Sequence, residues 1–154
     1  MIAKTEEELI KIGEQIGAKI KAPVVLELIG DVGAGKTTLT KGIARGLKIE
    51  DEITSPSYTL SKRYKNDNTE LVHYDFYRLE DPGIMSEDLD ESINDENTIT
   101  IIEWGNTVEN ILPENHPRIT IKIRDDGSRE VEIKNLEIGI RNLENEPKTN
   151  VENL

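Results

Sequence analysis

The sequence has no cysteine, which excludes disulfides, thiolate metal sites and a cysteine nucleophile together. Basic residues are in the minority: 19 Lys and Arg against 31 Asp and Glu give a net charge of −12 over 154 residues. So acidic a chain is not a general nucleic-acid binder by itself, and any RNA contact must be local or supplied by a partner. Long apolar runs are also missing. The start, "MIAKTEEELIKIGEQIG", has no uninterrupted apolar core of the signal-peptide type, and no later stretch approaches the roughly 18 apolar residues of a membrane span. These absences predict a cytoplasmic protein without membrane association. There is no internal repeat or low-complexity linker, and the length suits one packed domain rather than two.

What is present reads as alternating strands and helices. "TEEELIKIGEQIGAKI" opens with a Thr5/Glu8 capping box and repeats Leu9, Ile12, Ile16 and Ile20 on one helical face. Pro23 breaks that pattern, and "VVLELI" at 24–29 is the nearly continuous apolar run expected of a strand buried on both faces of a parallel sheet. A glycine-rich turn and a helix over about 36–45, closed by Gly46, follow. "SYTLSKRY" and "LVHYDFY" flank the turn cluster "KNDNTE" and predict an antiparallel hairpin. The acidic "EDPGIMSEDLDESINDEN" predicts a loop with one short helix, "TITIIEW" a buried strand, and "NTVENIL" another short helix. "RITIKIRDDGSREVEIKN" predicts a second hairpin about Asp126-Gly127, with Ile119, Ile121 and Ile123 alternating. The expected domain covers 1–136, with a partly mobile tail over 137–154 that has few core-forming residues.

Between the first predicted strand and the second helix stands "GDVGAGKTT". Gly30, Gly35, Lys36 and Thr37 satisfy G-x-x-x-x-G-K-[ST] in the required context of buried strand, turn and helix. In such a loop the backbone N–H groups converge on phosphates, Lys36 neutralises the β and γ oxygens, and the Thr37 hydroxyl binds Mg²⁺. A Cβ at the glycines would block close approach of backbone to ligand. The expected nucleotide contacts in the loop are Asp31, Val32, Gly33, Ala34, Gly35, Lys36, Thr37 and Thr38, with ATP or ADP and Mg²⁺ as cofactors. The alternative is a plain strand-to-helix turn with an exposed lysine. The fold predicted is α/β: a three-layer P-loop NTPase-like domain, with a mainly parallel central sheet extended by antiparallel hairpins.

Two acids end strand-like runs. Asp75 closes "LVHYD" and suits a carboxylate of the Mg²⁺ shell; Glu103 ends "TITIIE" in the same manner. On parallel central strands both would project from the sheet edge that carries the loop, one to hold metal and the other to orient water. As ordinary strand-end acids they would have neither role. Trp104, the one tryptophan, either lies beside the nucleotide or packs in the core. His73 and His116, far apart, read as structural, with a packing or hydrogen-bonding role for His73. Arg78 could bridge to a carboxylate or a phosphate. The acidic "SEDLDESINDE" is a solvated face or a docking surface for a basic partner.

Taken in order, "ITSPSYTL", "LVHYDFYRL" and "IIEW" around the phosphate loop resemble the TsaE (YjeE) family, small ATPases of bacterial tRNA threonylcarbamoyladenosine synthesis, over about residues 5–135. The resemblance implies that Lys36 and Thr37 bind phosphate and Mg²⁺, that Asp75 supports the metal, and that Glu103 serves the metal or water site. It also implies that Thr54, in the switch-like segment 54–57, responds to the γ-phosphate. Ser57 and Tyr58 stand where the family usually has Thr and often has Phe. Residues 80–97 match less well, and the tail after about 137 has no counterpart. The partners implied are the TsaD and TsaB proteins, which transfer the threonylcarbamoyl group to adenosine in tRNA, so that this chain meets tRNA only indirectly.

The residues also bear on other functions. A small-molecule kinase with the same loop needs arginines over the transferring phosphoryl group and a water-excluding lid, whereas the arginines here are scattered singly. A guanine-nucleotide switch would carry N-K-x-D, and "KNDN" at 65–68 has the wrong order. A non-hydrolysing module would keep its properties after Glu103→Ala. The absence of an arginine finger already in place predicts weak turnover by the isolated chain.

Overall fold

The structure, a computed structural model, describes residues 1–56, 61–77, 81, 83 and 85–139. Its elements in chain order are β1 (Ile2–Ala3), α1 (Glu6–Lys19), β2 (Val24–Ile29), α2 (Lys36–Gly46), β3 (Ser61–Lys65), β4 (Glu70–Asp75), α3 (Met85–Asn94), β5 (Thr98–Glu103), β6 (Arg118–Ile123) and β7 (Arg129–Lys134). A 3-10 turn at Gly105–Val108 follows β5. The strands form one seven-stranded sheet among the described residues, in the order β1-β7-β6-β2-β5-β4-β3. The inner four, β6, β2, β5 and β4, are parallel, while β7, β1 and β3 add antiparallel edges. This is the α/β architecture expected, a sheet with a parallel centre extended by antiparallel strands, between two helical layers.

Strand burial explains the order. β2 and β5 are flanked on both sides by strands and covered on both faces, so they carry the most continuous apolar runs. On one face Leu26, Leu28, Leu71, Ile99, Ile101, Ile119 and Ile121 pack under Ile12, Ile16, Leu39 and Ile43 of α1 and α2. On the other, Val25, Val72, Tyr74 and Ile102 meet Leu89 of α3, Val108 at the end of the 3-10 turn and Leu112 beyond it. The Tyr74 hydroxyl donates to Asp88 Oδ2 on α3 at 2.6 Å, and burial first, then that bond, pushes the phenol pKa up.

α1 and α2 lie backbone to backbone. A Cβ on Gly42 would stand 2.2 Å from Ile10 O, and one on Gly17 would stand 2.1 Å from Ile43 O. Gly46 belongs to the same contact, 2.3 Å from Glu14 O by the same measure, and remains helical. The expected role of Gly46 as a closing cap is therefore corrected. The positive φ beyond α2 falls on Lys48, at 62°. The Thr5 cap holds, accepting from the Glu8 N–H at 3.1 Å, but the returning Glu8 carboxylate takes the N–H of Lys4 rather than that of Thr5.

Both predicted hairpins are present. In the second, Ile119 and Ile121 are buried while Ile123 is 49% exposed, because it pairs with Arg129 at the end of the ladder. The helix expected in "NTVENIL" is a single 3-10 turn beginning at Gly105. β1 was not foreseen, since a two-residue strand carries no periodicity. Ser57, Tyr58, Arg78 and most of the tail expected over 137–154 lie outside the described residues.

Candidate functional site

The loop between β2 and α2 turns on two glycines in the left-handed region, Gly33 at φ 83° and Gly35 at φ 113°. L-residues with a Cβ are strained in such conformations. Gly35 is the N-cap of α2 and offers no side chain, and the first turn of α2 contains no acid. α1 is the contrast, capped by Thr5 with Glu6, Glu7 and Glu8 in its first turn. Helix α2 thus begins with N–H donors unclaimed by any side-chain cap and a positive dipole end that no carboxylate of its own offsets, the arrangement that accepts an anion.

Lys36 opens α2 and is 8% exposed. Its Nζ donates to Gly30 O at 2.5 Å and Asp31 O at 3.3 Å, and lies 4.6 Å from the centre of the Trp104 ring. Trp104 reaches that position because its backbone turns left-handed at φ 57° directly after β5, and its ring meets Tyr77 at 4.8 Å between centroids. Trp104 is half-buried against the core cluster of Val25, Val72, Tyr74 and Ile102, and the same ring also lies beside Lys36 of the loop. The exposed loop residues are Asp31, Val32 and Gly33, with Val32 at 69%, while Ala34 is buried.

Asp75 and Glu103 are register partners at the carboxyl ends of β4 and β5, and Glu103 also pairs with Leu28 of β2. Register partners on parallel strands project from one face. Both acids therefore lie on the α2 side of the sheet, at the edge from which the loop departs. They are 6% and 2% exposed. Asp75 Oδ1 accepts the Tyr77 N–H at 3.0 Å, and Glu103 Oε2 faces His73 Nε2 at 3.4 Å. Two buried carboxylates on adjacent strands repel each other. A hard divalent cation would offset such a pair, one or two carboxylates is the usual Mg²⁺ complement, and Thr37 in the first turn of α2 would add a hydroxyl. The donor set therefore fits Mg²⁺, with Thr37, Asp75 and Glu103 as the residues that could hold it. No group of three or more acidic, histidine or cysteine side chains that could hold a metal occurs among the described residues.

Thr54 is held by side chains of β3. Its hydroxyl accepts from Lys62 Nζ, and its backbone N–H meets the Tyr64 hydroxyl at 3.3 Å, which ties it to β3. Thr38, in the first turn of α2, donates to Glu6 Oε1 at 3.5 Å. His116 is structural as expected, its ring nitrogens 2.9 Å from Pro113 O and from Glu27 Oε1.

Sequence reasoning missed Arg129. From β7 its Nε donates to Ala34 O at 2.8 Å and its Nη2 to Gly33 O at 3.3 Å, so the second hairpin clasps the phosphate loop. Beside that clasp is a cleft of about 220 Å³ bounded by Lys4, Thr5, Glu6, Gly33, Gly35, Thr38, Gly127 and Arg129. Another cleft, of about 270 Å³, lies by Trp104 and Gly105. Glu27 and Glu109 line it and Arg118 is already bound to Glu27 at 3.2 Å, a wall unsuited to phosphate.

The sequence profile of the family described as threonylcarbamoyl adenosine biosynthesis protein TsaE matches residues 3–131. The chain belongs to the TsaE family. It is 41% identical over 127 residues to the tRNA threonylcarbamoyladenosine biosynthesis protein TsaE of Bacillus subtilis, covering 81% of this chain and 78% of that one. To the protein of the same name in a Nostoc species it is 36% identical over 131 residues, covering 83% and 80%. The crystal structure of Bacillus subtilis YdiB superposes with a TM-score of 0.69 at 35% identity, over 85% of this chain and 80% of that one. The TsaE match takes in the phosphate loop, both strand-end acids, Trp104 and Arg129, and ends at Val131 within β7.

Proposed function

We propose that this TsaE-family chain is a cytoplasmic ATPase that works in threonylcarbamoylation of adenosine in tRNA, driving the cycle of a partner transferase built from TsaD and TsaB proteins. Support for the pathway comes from the family match and from the printed names of the relatives. No described helix is long and apolar enough to cross a membrane, which agrees with the compartment proposed. The catalytic unit proposed is the domain over 1–136, with 137–154 as a tail.

The observation that carries hydrolysis is the register that sets Asp75 beside Glu103 at the edge where the phosphate loop leaves β2. In this reading Lys36 exchanges its bonds to Gly30 O and Asp31 O for oxygens of the β- and γ-phosphates. The backbone from Asp31 to Thr38 cradles the phosphates, and the cleft by Thr5, Glu6 and Arg129 receives the rest of the nucleotide. Thr37 and Asp75 hold Mg²⁺, which when bound neutralises charge on the transferring phosphoryl group. Glu103 orients a water and takes its proton. Trp104 lies against the site through Lys36, and Thr54 moves with the γ-phosphate as a switch.

A kinase is the second reading, and the engagement of four of the five described arginines, all but Arg124, disfavours it. Arg129 is engaged with loop carbonyls, Arg63 with Glu70 and Asp88, Arg118 with Glu27 and Arg45 with Glu14. The same commitments support slow turnover by the chain alone. Phosphate release from ATP, with and without a TsaD-TsaB pair and with Glu103→Ala as control, tests both readings. Stimulation by the pair that Glu103→Ala abolishes supports the ATPase; phosphorylation of a small hydroxyl compound with no response to the pair replaces it with a kinase.

A further inference from the structure

His73 is buried in the middle of β4 at 0% exposure, and neither ring nitrogen has a well-formed hydrogen bond. Orphaned buried polar groups cost stability and are rare, so this one requires a reason. Its surroundings give no packing reason, because Leu71, Ile99 and Ile101 on the same face would accommodate an apolar side chain. Polar residues share that face, Lys62 as its register partner on β3 and Asp75 two residues along β4, and Glu103 is the one whose carboxylate is recorded against the ring, with Oε2 3.4 Å from Nε2. At that separation the pair is in electrostatic contact but longer than an ordinary N–H···O bond. The sheet fixes this relation: His73 pairs with Ile101 and Asp75 with Glu103, so His73 and Glu103 are diagonal neighbours on one face.

We propose that His73 is a positioning residue for Glu103. With its proton on Nε2 the ring donates to Oε2 and holds that oxygen, so that the other presents a fixed direction to water. Catalytic hydrogen bonds are commonly long before the reacting complex forms and tighten within it, and a 3.4 Å contact between two buried strand residues has that character. His73 touches neither nucleotide nor water in this scheme, and acts through Glu103 alone. The inference rests on the reading of Glu103 as the group that activates water.

The test compares His73→Gln, His73→Asn and His73→Met in the full chain, under the partner conditions that give wild-type turnover, with kcat and KM for ATP measured separately. A glutamine amide reaches the place of Nε2, whereas asparagine reaches only that of Nδ1. Removing a residue that orients a reacting group costs about 10- to 100-fold. That loss is expected in kcat for His73→Met and His73→Asn, with KM unchanged and most of the rate recovered in His73→Gln. Equal rates in the glutamine and asparagine variants, or a loss confined to KM, would overturn the proposal and leave His73 as packing. If His73→Met fails to fold, the glutamine-asparagine contrast decides alone. Wild-type turnover that ignores Glu103→Ala would sink the ATPase reading itself, whereas turnover sensitive to Glu103 but indifferent to all three His73 variants would sink only the positioning role.

Discussion

Glu103→Gln should stop turnover and make the protein more stable. Glu103 is 2% exposed and is the register partner of Asp75. Groups on neighbouring strands stand about 5 Å apart, the strand spacing itself. Two unit charges at about 5 Å and an effective dielectric constant near 20 repel by roughly 3 kcal/mol. Glutamine removes that term but weakens the contact with His73, which offsets about 1 kcal/mol. A further discount applies because Asp75 keeps its bond from the Tyr77 N–H. What remains is a stabilisation of about 1–2 kcal/mol, or roughly 2–8 °C in Tm for a domain of this size. Loss of the proton acceptor should lower kcat by about 10²- to 10⁴-fold. Calorimetry without nucleotide gives the first quantity and phosphate release in the presence of partners gives the second. A variant that is both less stable and inactive would show that Glu103 holds the fold together, and the charge-pair reasoning would be wrong.

Three further outcomes follow from other contacts. Gly42→Ala brings a methyl group to 2.2 Å from Ile10 O; despite about 1 kcal/mol of helix propensity gained, thermal unfolding should show a net loss of about 1–3 kcal/mol, and a rise in Tm would mean that α1 and α2 separate readily. Because Lys36 Nζ lies 4.6 Å from the ring of the one tryptophan, ATP with Mg²⁺ should change Trp104 emission by drawing the ammonium away, and Lys36→Met should abolish the response; an unchanged wild-type spectrum would place the nucleotide elsewhere. The Tyr74 phenol is pushed above its ordinary 10.0 by burial and then by Asp88, so the folded state keeps its proton longer than the unfolded state and stability declines as pH rises beyond about 10. Tyr74→Phe should flatten that decline in denaturant titrations, and parallel wild-type and mutant curves would contradict the assignment.

Much of the fold was legible because its signals are local. β2 and β5 are buried on both faces and read as apolar runs, while α1 announces itself through the Thr5 cap and its apolar face. The features that escaped depend on distant chain. Gly46 sits where a helix-closing glycine is expected, yet the Cβ it lacks would meet Glu14 O of another helix. β1 exists through pairing with β7, more than a hundred residues away, and two residues cannot display a period. Ile123 continues an alternating pattern beyond the point where anything covers it.

The candidate site divides along the same line. Loop 30–38 could be read from spacing, since phosphate binding by backbone donors needs contiguous residues with glycine at set positions. Asp75 and Glu103 could be named only as strand-end acids, because their meeting depends on β4 and β5 being adjacent, parallel and in one register. A shift of one residue would have turned one acid to the opposite face, under α3. Arg129 carried no signal as a single residue, because it acts through loop carbonyls from the far end of the chain, and His73 could be read only as packing or hydrogen bonding, because its neighbour Glu103 lies on a diagonal across two strands. The phosphate recognition proposed is thus written locally, whereas the groups that would turn binding into hydrolysis are assembled by the sheet. Changes that shift strand register should therefore impair turnover before they impair nucleotide binding.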